Sequence, residues 1–270
     1  MKIIRKYVDF IKENLEISGD TQNNIQTELS QDVNDNIKTD ILNNSSLILK
    51  KLNKIIDFTV IKPGLKKEDI KTVVNEALTN GYYGICVNPE FVDYVVYEIE
   101  DNNIKVISTL DFPDGKMSLN EKITELLKII SDGADEVDML IDIDEFKKAY
   151  VDEDEQEKQR IYKKIEDEIT DITEECHKNG VIIKIVIESG VLSYDELSDI
   201  CKIVTKSNVD FIQTSSGYKN NGIEIDKIKE IRRLLPEYIK IKVSGGIRNI
   251  EEANELYPLC DRIGTSVNLK

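Results

Sequence analysis

Residues 181–217 read VIIKIVIESGVLSYDELSDICKIVTKSNVDFIQTSSG. The stretch opens on a β-branched run, passes into Tyr194–Lys206 with apolar residues at helical spacing, and returns to a second β-branched run, DFIQTSS. A strand, a helix and a strand in that order imply parallel pairing through a right-handed crossover.

The same unit recurs on both sides. Toward the N-terminus, EVDMLIDI precedes a long charged helix read from about Glu145 to Lys178, IKVISTLDF precedes Leu119–Ser131, YGICVN precedes Pro89–Glu100, and IIDFTVI precedes Lys67–Thr79. Toward the C-terminus, DFIQTSS leads into Ile223–Leu235, IKIKVSGG leads into Ile250–Tyr257, and DRIGTSV closes the series. Eight strands alternating with helices in one domain predict a (β/α)8 TIM barrel over residues 55–270. The alternative is an open doubly wound sheet, but IDFTVIKPG after the first strand contains no G-x-G-x-x-G turn.

Residues 1–54 are set apart as N-terminal helices joined by a polar linker. Residues 2–15 place Ile3, Ile4, Tyr7, Val8, Phe10 and Ile11 on one helical face, and a second short helix is expected near 41–52. Between them, residues 18–40 are rich in Asn, Asp, Gln, Ser and Thr and carry too few large apolar side chains to offset their ordering entropy.

Lys and Arg total 36 against 52 Asp and Glu, and a net charge of −16 repels a phosphate backbone, which argues against nucleic acid as a partner. There is no apolar run of membrane-spanning length and no basic, apolar leader, so no membrane partner and a cytoplasmic location are expected. Cys86, Cys176, Cys201 and Cys260 form no C-x-x-C pair and read as free thiols, with Cys86 in the core. His177, the single histidine, falls late in a charged helix and is expected to face solvent, so no metal site and no cofactor are expected.

Charges within strands carry more information. Alternation places Asp57, Asp138, Lys184 and Lys242 on the inward side of the first, fourth, fifth and seventh strands. Two carboxylates and two amines would therefore converge in one low-dielectric core, either as a buried ion network fixing strand register or as a catalytic site. Glu136 and Asp142, at strand ends, read as solvated charges. The turns Ser244-Gly245-Gly246 and Gly264-Thr265-Ser266 follow the last two strands, where barrels of this type frequently bind phosphate through backbone N–H groups.

The ordered series IDFTVIKP, CVNPEFV, DGADEVDMLI, IKIVIESG, DFIQTSSG, IKVSGGIR and DRIGTS, across roughly residues 55–267, resembles the deoxyribose-phosphate aldolase family. The resemblance implies a class I aldolase that cleaves 2-deoxy-D-ribose 5-phosphate to glyceraldehyde 3-phosphate and acetaldehyde through an imine on a sixth-strand lysine. It makes Lys242 the cation neighbouring that lysine, Asp138 the proton-shuttling carboxylate, and Lys184 and Asp57 supporting members. Ser216, Gly217, Gly245, Gly246 and Ser266 become the phosphate-binding set. The imine position itself holds Gln213, and an amide cannot form an imine.

Other departures are Phe58 where the family commonly has His, Asp111 and Asp114 in a normally neutral turn, and Val267 in place of a second phosphate-binding serine. The family generally continues into a closing helix beyond the position of Lys270, a gap that the N-terminal helices or an oligomer partner would cover. A small-molecule sugar phosphate or aldehyde is the expected ligand, with homo-oligomerisation possible. Three functional readings stay open: an aldolase in which Lys242 takes over as nucleophile, a catalytically silent sugar-phosphate-binding or regulatory relative, and an ordinary aldolase into which Gln213 has been introduced.

Overall fold

The computed structural model describes residues 49–100, 102–219 and 222–269. Of the second N-terminal helix, residues 49–52 are helical; the rest of it, with 2–15 and 18–40, lies outside the described residues.

Eight parallel strands close into a barrel in sequence order. They are β1 (Ile56–Val60), β2 (Gly84–Val87), β3 (Lys105–Leu110), β4 (Glu136–Leu140), β5 (Ile182–Val186), β6 (Phe211–Gln213), β7 (Lys240–Ser244) and β8 (Arg262–Thr265). Around them run α1 (Lys67–Asn80), α2 (Val92–Ile99), α3 (Leu119–Ser131), α4 (Ile143–Tyr150), α5 (Glu155–Lys178), α6 (Tyr194–Lys206), α7 (Ile225–Leu234) and α8 (Ile250–Leu256). No helix among the described residues is long and apolar enough to cross a membrane.

Local chemistry explains where helices start. Ser118 and Ser193 open α3 and α6 as capping boxes, each hydroxyl accepting from the backbone N–H three residues on while Glu121 and Glu196 reach back. The single helix expected from Glu145 to Lys178 is instead two, α4 and α5. Asp154 caps α5 by accepting from Gln156 and Glu157, and Asp152 accepts from Asp154, so carboxylates satisfy the backbone donors that a continuous helix would have used.

Register fixes which side chains share the barrel interior. Asp57 pairs with Gly84 and Gly264, Cys86 with Ile107, Thr109 with Asp138, Asp138 with Lys184, Lys184 with Phe211, and Gln213 with Lys242. Paired residues face the same side, so all of these point inward. Outward-facing Ile, Val and Leu pack against the helices as the main core. Phe58 lies on that outer side, its ring 5.3 Å from Tyr82, so the substitution there falls in the helix layer and not in the barrel interior.

Two tight approaches require glycine. A Cβ at Gly264 would lie 2.9 Å from Ser244 Cβ and 3.1 Å from Lys242 Cε, and one at Gly84 would lie 2.8 Å from Ile107 Cδ1. Gly264 thereby leaves the space that the Lys242 stem fills.

Candidate active site

The four interior charges inferred from alternation do meet. Lys242 Nζ lies 2.6 Å from Asp138 Oδ2 and 2.9 Å from Asp57 Oδ2. Lys184 Nζ lies 2.8 Å from Asp138 Oδ1 and 4.0 Å from Asp57. Asp57, Asp138, Lys184 and Lys242 are all at most 2% exposed. Asp138 thus holds one ammonium on each carboxylate oxygen.

Two further charges complete the cluster. Glu136, expected to be solvated, is fully buried: Lys184 sits 2.6 Å from its Oε2, and the Tyr83 hydroxyl donates to its Oε1 at 2.8 Å. Arg262 on β8 donates to Asp57 at 3.1 Å and to Glu136 at 3.3 Å, with its guanidinium 3.0 Å from the centre of the Tyr83 ring. The inward side of β4 runs through Glu136 as well as Asp138, so proximity to a strand end was a poor guide to exposure. Arg262 could have been found from the alternation that places Gly264 inward. The interior therefore carries Asp57, Glu136 and Asp138 against Lys184, Lys242 and Arg262, three charges of each sign and neutral overall.

This balance sets the protonation states. Burial disfavours the charged form of Lys242, but the carboxylates of Asp138 and Asp57 outweigh it and hold the ammonium well above the ordinary lysine range. Lys184 shows the same contest, burial against Asp138, and also ends raised despite the repulsion of Lys242. Burial pushes Asp138 upward, yet Lys184 and Lys242 bring it down to about 2. Glu136 is likewise lowered by Lys184 and Arg262 against its burial. Both shifts favour the protonated form of the amines. The thiol of Cys86, 3.7 Å from Asp138 Oδ2, is raised by burial and by that carboxylate.

Beside this saturated layer the interior is polar and incompletely paired. Gln213 is 4% exposed; its Nε2 donates to Ser215 O at 3.0 Å, while its Oε1 has no partner among the described residues. Thr109 Oγ1 and Asn88 Oδ1 are also buried without a partner there. Thr109 faces inward by its pairing with Asp138, and Asn88 directly follows the end of β2.

The glycine turns flank this layer at the C-terminal mouth. Gly245 and Gly246 both have positive φ, +97° and +86°, and a Cβ at Gly245 would sit 3.0 Å from Ser215 Oγ. Ser216 and Gly217 spend their backbone N–H groups within the protein, on Glu188 Oε1 at 2.9 Å and on Ser215 Oγ at 3.0 Å. Glu188, itself buried at positive φ, thus puts a carboxylate beside part of the expected phosphate set. Ser266 is exposed, and Val267 donates its N–H to Thr265 Oγ1.

Loops from three strands meet over the mouth. Tyr218 donates its hydroxyl to Ile61 O, and its ring lies 6.1 Å from Phe112 in an edge-on arrangement. Asp111 adds no free charge to this rim: it accepts from the backbone of Lys116 and Met117 and pairs with the fully buried Lys122 at 3.1 Å, while Asp114 is exposed. Lys122 also reaches Glu168 at 2.5 Å. His177 is on the outer surface, 3.0 Å from Asp210.

Residues 51–258 match the DeoC/LacD family of aldolases. The chain is 36% identical over 216 residues to the deoxyribose-phosphate aldolase of Treponema denticola, a match spanning 80% of this chain and 95% of that protein. It is 37% identical over 218 residues to the deoxyribose-phosphate aldolase of Caldicellulosiruptor saccharolyticus, spanning 80% and 94%. Among solved structures it superposes on QR15, an aldolase, with a TM-score of 0.71 at 29% identity, covering 80% of this chain and 91% of that one.

Proposed function

Since this chain belongs to the DeoC/LacD aldolase family, we propose that its barrel mouth takes 2-deoxy-D-ribose 5-phosphate or a closely related sugar phosphate or aldehyde, and that imine-dependent cleavage is slow or absent. In this reading the phosphate lies against the Gly245-Gly246 turn and Ser266, with Ser216 and Gly217 as its wall, and the carbon chain runs inward toward Gln213, Asp138 and Lys242. Gln213 occupies the place of the imine lysine. Asp138, Lys184, Lys242 and Asp57 serve as a charged floor that orients the ligand.

One observation carries the proposal. Lys242, the amine nearest in register to Gln213, is bound at 2.6 Å to Asp138 and at 2.9 Å to Asp57, and its charge is stabilised. A carbonyl is attacked by a neutral amine, so a lysine in this state fails as a substitute nucleophile. The relatives' chemistry supports the substrate class, and the loss of the nucleophile supports a binding or regulatory role.

Intact mass after incubation with acetaldehyde or 2-deoxyribose 5-phosphate and a borohydride reductant tests this, with the native chain and Gln213→Lys side by side. The amine introduced by Gln213→Lys would face the Lys242 cation across adjacent strands about 5 Å apart, which lowers its pKa and supplies free base. The expected result is an adduct on the variant and none on the native chain. An adduct on native protein, mapped to Lys242, would establish an active aldolase with a relocated nucleophile.

A further inference from the structure

The polar pairing around Gln213 bears on the chemical form of the ligand, an inference that rests on the sugar-phosphate reading just proposed. The Gln213 amide is oriented by its neighbour: Nε2 donates to Ser215 O at 3.0 Å, and flipping the amide would set Oε1 against that carbonyl, acceptor against acceptor. Oε1 is therefore the end left over. It is buried and has no partner among the described residues, in a side chain only 4% exposed. Lys242, its neighbour on β7, has its charge directed to Asp138 and Asp57.

A buried acceptor without a donor is costly, and this one sits where the imine reading places C1 of the sugar. An open-chain aldehyde offers a carbonyl oxygen at C1, which is another acceptor and cannot satisfy Oε1. A hydroxyl there can. Thr109 Oγ1, also unpartnered among the described residues, faces the same interior and can accept a hydrogen bond as well as donate one. The oriented Gln213 acceptor thus suits a ligand that presents an O–H group at this position and not a free carbonyl.

The geometry points to a site that selects the hydroxyl-bearing forms of a sugar phosphate, a reduced alditol phosphate or a ring-closed hemiacetal, held non-covalently with its C1 hydroxyl donating to Gln213 Oε1.

Titration calorimetry on the full native chain tests this with three probes: 2-deoxyribitol 5-phosphate, its analogue lacking the C1 hydroxyl, and inorganic phosphate. Leaving a buried acceptor unpaired costs about 1–3 kcal/mol, so the analogue is expected to bind about 5- to 150-fold more weakly. The same comparison on Gln213→Met should bring the ratio of the two affinities near one, because the acceptor is gone. Equal affinities on the native chain, as expected if water alone fills the position, would overturn the selection of a C1 hydroxyl while leaving the phosphate site standing. A ratio that persists in Gln213→Met would overturn the role of Gln213. If none of the three probes binds, the sugar-phosphate reading fails and this inference fails with it. Because the ligand comparison is made first on native protein, a variant that does not fold leaves the decisive measurement intact.

Discussion

Replacing Lys184 with Met should show whether the charge balance inside the barrel is what makes its burial tolerable. Lys184 lies 2.6 Å from Glu136, 2.8 Å from Asp138 and 4.0 Å from Asp57. Lys184→Met keeps much of the stem but leaves three buried carboxylates facing two cations. Removing one partner of a buried ion pair costs about 3–5 kcal/mol. The core can escape by protonating one carboxylate, and for a group with an ordinary pKa of about 4.3 that step at pH 7 costs about 3.7 kcal/mol. The two routes give the same size, so a loss of about 3–5 kcal/mol at pH 7 is expected. In a domain of this size that lowers the melting temperature by on the order of 6–20 °C.

The escape route also predicts a pH signature. The carboxylate that takes the proton has a folded pKa raised above its unfolded value, so the variant's deficit should shrink by about 1.4 kcal/mol per unit as pH falls from 7 toward 5. Urea unfolding of native and variant chains at both pH values measures this. Adding Glu136→Gln to Lys184→Met restores equal numbers of each sign and should recover half or more of the loss. A deficit below about 1 kcal/mol, one independent of pH, or a double variant merely additive would refute the reasoning.

The native protein should behave oppositely with pH. Asp138 is held down to about 2 and Glu136 below its usual value, so their contribution is complete above the unfolded pKa values near 4 and is lost as pH falls through the folded ones; the urea midpoint should decline mainly below about pH 4, and a decline centred between pH 6 and 8 would contradict this assignment. Gly264→Ala would drive a Cβ to 2.9 Å from Ser244 Cβ and 3.1 Å from Lys242 Cε, and a destabilisation of about 1–3 kcal/mol is expected by thermal unfolding. Lys122→Met strands Asp111 and Glu168 without their shared cation, and a loss of about 3–5 kcal/mol in urea unfolding is expected.

The strand-and-helix alternation from Ile55 to Val267 was legible because each element carries its own period, and eight repeats leave few ways to cover both faces of a parallel sheet. Alternation also brought Asp57, Asp138, Lys184 and Lys242 to one side. The same rule applied to Glu136 and Arg262 would have completed the network, but position near a strand end obscured it. The break between α4 and α5 was present in the sequence as Asp152 and Asp154, though their side chains had to be seen accepting backbone donors to count as a stop.

By itself, then, the sequence determined the barrel, the inward faces and the presence of an amide at Gln213, since periodicity and residue identity are local properties of the chain. Tertiary structure alone decided which charges pair, that Lys242 is stabilised as a cation, and that one end of the Gln213 amide is left without a donor. These depend on distances between atoms brought together from different strands, and on a buried, low-dielectric setting in which those distances set protonation and the cost of an unpaired group.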